Sequence, residues 1–294
     1  MLIADYKNGN ARVKISETGT REITFEGDLE LDYPLNIDIR VSSQCAFGLN
    51  PKTGKAFCSF CHEEARTDGS ECDYNALMNQ LEGLPPGIEL AIGGNSLTDN
   101  LVKFLAWANR RGYICNLTIN QGHVQRDYAK LMDCISEGYI KGLGISYREG
   151  LAFNVPQDLL DYENTVFHVI AGIDSFVSVE ALAKQGVKKI LILGEKDFGF
   201  NKGNVDLSTQ KHKEWLWWTR KLFDDFSAVS FDNLALEQLR VKRFFNTEAW
   251  SVFNQGEHSF YINAVEKYFA PSSRSPKKTK WIDSNVLSYF KELL

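Results

Sequence analysis

Six short apolar runs recur along the first two thirds of the chain, and each is followed by a stretch of helix length. They are "LNIDIRV" (35–41), "IELAIGG" (88–94), "YICNLTIN" (113–120), "IKGLGISY" (140–147), "TVFHVIAG" (165–172) and "KKILILGE" (188–195). Helices are predicted between them at 73–83, 98–111, 124–138, 156–161 and 176–185, with a tryptophan-rich one at 209–226. Apolar strands that alternate with helical stretches pair in parallel and need cover on both faces, so the pattern predicts an α/β fold built from β-α units. Periodicity leaves two architectures open, an open doubly wound sheet and a partial barrel. In both, chemistry gathers at the carboxyl ends of the strands.

Those ends are polar or glycine-rich. Strand two ends in Gly93-Gly94-Asn95-Ser96, strand three in Asn120-Gln121-Gly122 and strand four in Ser146-Tyr147-Arg148-Glu149. Strand five ends in Gly172-Ile173-Asp174 and strand six in Gly194-Glu195-Lys196-Asp197. Before the first run, "ARVKISETGTREITFEG" alternates apolar and polar residues around a Thr-Gly turn, as a hairpin does, so residues 1–33 are expected to form a β-ribbon. After about Phe226, "FSAVSFDNLALEQL" predicts a further strand and helix, "SFYINAVEKYF" (259–269) is suited to covering the rim or the bottom of the fold, and "PSSRSPKKTK" (271–280) reads as a basic turn.

Three of the six cysteines fall in "QCAFGLNPKTGKAFCSFCHEEA" (44–65), just past the first strand, as C-x12-C-x2-C. The start "MLIADYKNGN" lacks a basic stretch followed by an apolar core, and no run of about 18 apolar residues occurs, so a cytoplasmic location without a membrane segment is expected. A formal net charge of -5 gives no global reason to expect nucleic-acid binding. In a reducing compartment a cysteine trio points to metal binding or catalysis before a disulfide. A closed zinc site wants a second ligand pair, and only His62 and Cys72 are near. Cys115 and Cys134 read as small buried hydrophobes. "GLNPKTGK" misses the phosphate-loop pattern, because five residues separate Gly48 from Gly54 and Ala56 follows Lys55. Three thiolates suit a 4Fe-4S cubane whose fourth iron stays open to a small molecule.

A cysteine just past strand one, a distant C-S-F-C and a glycine pair ending strand two together resemble the radical S-adenosylmethionine superfamily, over roughly residues 35 to 200. The resemblance implies a partial (β/α)6 barrel spanning 34–225, preceded by the ribbon of 1–33 and followed by an extension, 226–294, that covers it. It implies a 4Fe-4S cluster on Cys45, Cys58 and Cys61 and S-adenosylmethionine as cofactor. The cofactor's amino group would meet Gly93, Gly94 and Asn95, and its carboxylate Arg148. Asn120 and Ser146 would bind the ribose, while Phe60, Gly172, Ile173 and Leu193 would surround the adenine. One electron, from a donor such as flavodoxin or ferredoxin, would release a 5′-deoxyadenosyl radical that takes hydrogen from a substrate.

Two departures from the usual family pattern stand out. Twelve residues separate the first two cysteines instead of three, and Asn95 stands where Glu is common. Lengthening the loop fourfold costs only about 1.2 kcal/mol of closure entropy, small beside metal-site energies of about 10 kcal/mol. On the substrate side, Lys196, Asp197 and Glu149 are the expected catalytic contacts, with Tyr261 and Arg274 from the tail. No later cysteine cluster is available for a second iron–sulfur centre, so a small polar metabolite or nucleotide is the favoured substrate and a polypeptide or nucleic acid the second. A zinc-stabilised binding module without catalysis is the alternative from a different class.

Overall fold

The computed structural model describes residues 1–93, 96–246 and 258–294. Its first element is a three-stranded antiparallel sheet, β1 (Leu2–Asn8), β2 (Ala11–Ser16) and β3 (Arg21–Thr24). The Thr-Gly turn lies between β2 and β3, and a second tight turn at Gly9 joins β1 to β2. Gly9 has φ +60°, and a Cβ there would sit 1.9 Å from the Glu30 carbonyl oxygen, so only glycine fits. Ala11, Val13 and Ile15 alternate inward and are fully buried in the main core. An ion pair from Arg21 to Glu89 fixes this ribbon against the first residue of β6, at the amino-terminal end of the larger sheet.

Among the described residues the larger sheet has ten strands. The elements are β4 (Asn36–Arg40), β5 (Gln44–Leu49, outside both sheets), α1 (Tyr74–Leu81), β6 (Glu89–Gly93), α2 (Asp99–Arg110), β7 (Ile114–Asn120), α3 (Val124–Ser136) and β8 (Gly142–Ser146). Then come α4 (Gln157–Asp161), β9 (Thr165–Ile170), α5 (Phe176–Lys184), β10 (Lys189–Leu193), α6 (Gln210–Trp218), α7 (Leu222–Asp225), β11 (Ala228–Phe231) and α8 (Asn233–Gln238). The chain ends with β12 (Ser259–Asn263), β13 (Tyr268–Ala270), β14 (Thr279–Lys280) and α9 (Val286–Leu293). The spatial order is β11-β10-β9-β8-β7-β6-β4-β12-β13-β14. All pairs from β11 through β12 are parallel, and β13 and β14 add antiparallel edges.

The six predicted strands and the helices between them are present within a few residues. Asp73, Thr98, Ser175 and Asp232 each accept a backbone N–H at the start of a helix, which explains why α1, α2, α5 and α8 begin where they do. The single helix expected over 209–226 is instead two, α6 and α7, separated by a 3-10 turn at Thr219–Lys221. There the Thr219 hydroxyl donates to the Trp215 carbonyl, a back-bond that loosens a helix. The parallel set also has eight strands where six were expected. "SFYIN" is β12, hydrogen-bonded alongside β4, and β11 extends the other side.

The order runs along the chain from β4 to β11 with no reversal, and the next parallel strand, β12, returns to lie beside the first. Right-handed crossovers in one direction put all the helices on one face. That face is apolar: Ile37, Ile39, Leu90, Ile92, Leu117, Ile119, Leu143, Ile145, Phe167, Val169, Ile190 and Ile192 are all buried. The alternate residues point the other way. Among the described residues, no helix is long and apolar enough to cross a membrane.

Candidate active site

The second face of the same strands encloses a cavity of about 420 Å³. Leu191 of β10 and Tyr261 of β12 both line it, although six strand spacings, about 29 Å on a flat sheet, separate those strands. The sheet is therefore strongly curled, with the cavity on its concave side. Gly144 lets Thr118 and His168 close over β8, since a Cβ there would meet Thr118 Oγ1 at 2.6 Å and His168 Cε1 at 2.7 Å.

Cys45, Cys58 and Cys61 share one wall of this cavity, and all three are free thiols. The long insert between the first two folds back as a flap. Leu49 N–H donates to the Ala65 carbonyl (2.8 Å), Arg66 N–H to Ser43 (2.9 Å) and Thr67 N–H to Leu49 (3.0 Å). Gly48 permits the close approach, because a Cβ would stand 2.3 Å from the Ala65 oxygen. Backbone bonds then link the cysteine segments in turn, from Cys58 N–H to the Phe47 carbonyl (3.2 Å) and from Cys61 N–H to the Cys58 carbonyl (3.1 Å). Phe200 N–H donates to the Cys61 carbonyl at 3.1 Å, so the loop after β10 braces the pair from above.

Burial raises the thiol pKa of Cys45 and of Cys58; at Cys58 the Arg148 guanidinium pulls the other way. Cys45 Sγ lies 3.8 Å from His123 Nε2, and burial lowers the pKa of His123 to about 4, so that imidazole is neutral at pH 7. Arg148 lies over the Phe60 ring at 5.2 Å, and its Nε is buried without a partner. Among the described residues no three His, Cys, Asp or Glu side chains converge as ligands of a single metal ion. The donor set is three unbridged thiols facing a cavity beside a cation with an unsatisfied N–H. As thiolates such cysteines can ligate a soft metal or a metal–sulfur centre, and Arg148 can meet an anionic group. Cys72, Cys115 and Cys134 are buried in the main core instead, where burial raises the pKa of each.

The other residues expected at the site divide cleanly. Phe60, Gly93, Asn120, Ser146, Arg148, Ile173, Leu193 and Lys196 line the cavity with the cysteines. Gly94 and Asn95 lie outside the described residues. Tyr261 lines it too, and four of the expected residues do not: Arg274, Gly172, Asp197 and Glu149. Gly172, at φ +92°, forms the turn after β9. Asp197 is exposed and accepts from Gly203 N–H at 2.5 Å. Glu149 is held at the amino terminus of α5 by Ser175 N–H (2.9 Å), the Ser175 and Ser178 hydroxyls and Lys211 (2.9 Å). Burial opposes its charge, but these partners outweigh burial and hold its carboxyl down at about 2.

A second wall holds residues that the sequence reading passed over. Asp38 and Arg40 alternate with buried Ile37 and Ile39 on β4 and so face the cavity. Arg40 Nε lies 2.8 Å from Glu63 Oε2, Glu63 Oε1 lies 3.1 Å from His62 Nε2, and Tyr261 donates to Glu63 at 3.4 Å. Burial would raise the Glu63 pKa, yet His62 and Arg40 bring it down to about 2. Lys196 Nζ approaches His62 Nε2 at 3.2 Å. The available signal was the alternation itself: charged residues at every second position of an otherwise apolar strand mark an interior polar face. No protein-family model matches the chain, and no curated protein is detectably similar to it.

Proposed function

We propose that the protein is a radical S-adenosylmethionine enzyme acting on a small polar substrate. The observation that carries this reading is the position of the C-x12-C-x2-C thiols. They sit unbridged on one wall of a cavity at the carboxyl ends of parallel strands, beside Gly93, Asn120, Ser146 and Arg148. The strand order supports a β/α barrel rather than a doubly wound sheet, because a doubly wound order reverses at a switch point. It favours eight units open between β11 and β12 over six. In that frame residues 1–33 close the amino-terminal end, and the described residues of the extension, 226–246 and 258–294, add β11 and β12 to the curl and bring Ser273 to the cavity lining.

On this reading Cys45, Cys58 and Cys61 hold a 4Fe-4S cluster, with His123 beside Cys45 as an orienting neighbour. When bound, cluster and cofactor would supply reductive cleavage of S-adenosylmethionine to a 5′-deoxyadenosyl radical that abstracts hydrogen from the substrate. Arg148 would meet the cofactor carboxylate with its unpartnered N–H, and Phe60, which Arg148 lies over at 5.2 Å, would stand near the adenine. Asn120 presents its amide N–H groups, because its side-chain oxygen already accepts from Gly122 N–H at 2.9 Å. Ile173 and Leu193 keep water from the reacting region.

Anaerobic reconstitution tests the reading. About four irons per chain and broad absorption near 400 nm are expected, together with slow release of 5′-deoxyadenosine and methionine under dithionite. Cys58→Ala should lose the iron and the cleavage, and Cys72→Ser should keep both. A colourless protein that holds zinc through the same three cysteines would overturn it.

A further inference from the structure

The charged wall is unevenly paired. Arg40 and Glu63 hold one another, and His62 and Tyr261 add to that knot. Asp38 stands outside it, and Lys196 touches its edge through His62. Among the described residues Asp38 makes no hydrogen bond or ion pair, and Lys196 Nζ meets His62 Nε2 at 3.2 Å and lies over the Phe198 ring at 5.8 Å, with no carboxylate within ion-pair reach. Asp38 is exposed to the cavity and Lys196 is half-buried at its edge, and neither closes into an ion pair, so both remain available to a ligand. Burial pushes both toward their neutral forms, while each pulls the other back toward charge.

Their depths differ. Asp38 lies two residues below Arg40 on the same face of β4, about 6.6 Å further into the throat. Lys196 lies past the end of β10, at the rim, near Arg274, with Ser273 of the overhanging loop lining the same cavity. The thiols and Arg148 line the same cavity, and Cys61 adjoins His62, which Lys196 meets.

We propose that the sector between Asp38 and Lys196 binds a small molecule with an N–H-donating cationic or base end on Asp38 and an anionic end, carboxylate or phosphate, on Lys196. The inference names the substrate class of the cavity described above. It rests on the radical reading for what is done to the ligand, and on the two unpaired charges for the binding. Amino acids and nucleotides both present this pair of ends. In either, the carbons between the two ends would lie in the cavity that the thiols and Arg148 also line.

Calorimetric titration of the full chain, iron-free and reconstituted with S-adenosylmethionine present, tests the proposal. L-arginine and guanosine 5′-monophosphate serve as two-ended probes, and methylguanidinium and inorganic phosphate as one-ended ones. At least one two-ended probe should bind at least tenfold more tightly than either fragment, and which one does so separates the amino-acid source from the nucleotide source. Asp38→Asn should weaken that probe at least tenfold and leave phosphate unchanged. Lys196→Met should weaken the probe and phosphate alike, while Lys196→Arg should restore both to within about threefold of wild type. Two-ended probes no tighter than their fragments, or wild-type binding in both Asp38→Asn and Lys196→Met, overturn the proposal. Charge-dependent probe binding without any 5′-deoxyadenosine would sink the radical reading and leave this one standing. Cleavage without charge-dependent binding would do the reverse.

Discussion

The two faces of the parallel strands are made by the same backbone, yet they obey different rules. Toward the helices, β7 presents Cys115, Leu117 and Ile119, which are essentially without solvent exposure. Toward the cavity it presents Asn116, Thr118 and Asn120, and the neighbouring strands add Asp38, Arg40, Ser146 and His168. The first face is fixed by packing and by the removal of apolar area from water. The second is fixed by hydrogen bonds and by the close approach of Thr118 and His168 over Gly144. One residue step along a strand therefore exchanges a stability problem for a recognition problem.

Neighbouring substitutions on β7 give the largest expected contrast. Leu117→Ala should cost about 2–5 kcal/mol, because it leaves a cavity in a packed layer. Thr118→Ala, one residue on, should stay within about 1 kcal/mol. Urea midpoints at constant m would measure both. Equal losses at the two positions would mean that the cavity face is as tightly packed as the helix face.

A smaller effect concerns acid. His168, on the cavity face of β9, has its pKa lowered to about 4, by burial first and by the Arg148 charge second. The unfolded chain takes up that proton near pH 6.5, so the unfolded state binds more protons between pH 6.5 and about 4, and stability falls as pH drops through that window. The contribution should be about 1–2 kcal/mol, and it is present in full above pH 6.5. His168→Asn should flatten the stability profile there; a profile identical to wild type would show that His168 titrates freely.

The smallest effect belongs to Glu149, whose carboxyl is held down at about 2. A depressed folded pKa stabilises above the unfolded value near 4.3 and is lost as pH falls through about 2. Because the side chain is about one-third exposed, solvent screens the gain, and Glu149→Gln should cost about 1 kcal/mol at pH 7. The cost should disappear near pH 2. A deficit that persists there would locate the loss in hydrogen bonding rather than charge.

Glu149 also marks where local reading stops. It was legible as a charge after strand four, but its destination depends on Ser175, Ser178 and Lys211, partners on other elements that no short window contains. The six central strands were legible because each is a short apolar run bounded by polar or glycine residues. β12 was not, since "SFYIN" is bounded by residues common in loops and its partner β4 lies far away in the chain. The three cysteines were legible as a group by type and spacing, and the flap that brings Cys45 to the others was not, because its bonds join backbone to backbone. Asp38 and Arg40 were visible all along as a period-two interruption of an apolar strand.

The return of β12 to β4 bears on how the chain acquires its structure. Residue 259 must find residue 36, so this ladder has a very large sequence separation, while each earlier parallel pair joins neighbours along the chain. Pairings of that kind form late and slowly, because the intervening chain must first be ordered. During synthesis β4 would emerge early and wait with one edge uncovered until the last part of the chain is made. The wall that carries Asp38 and Arg40 would thus be the last part of the cavity to be assembled, and a chain stopped before residue 259 would carry the cysteines without the strand that backs that wall.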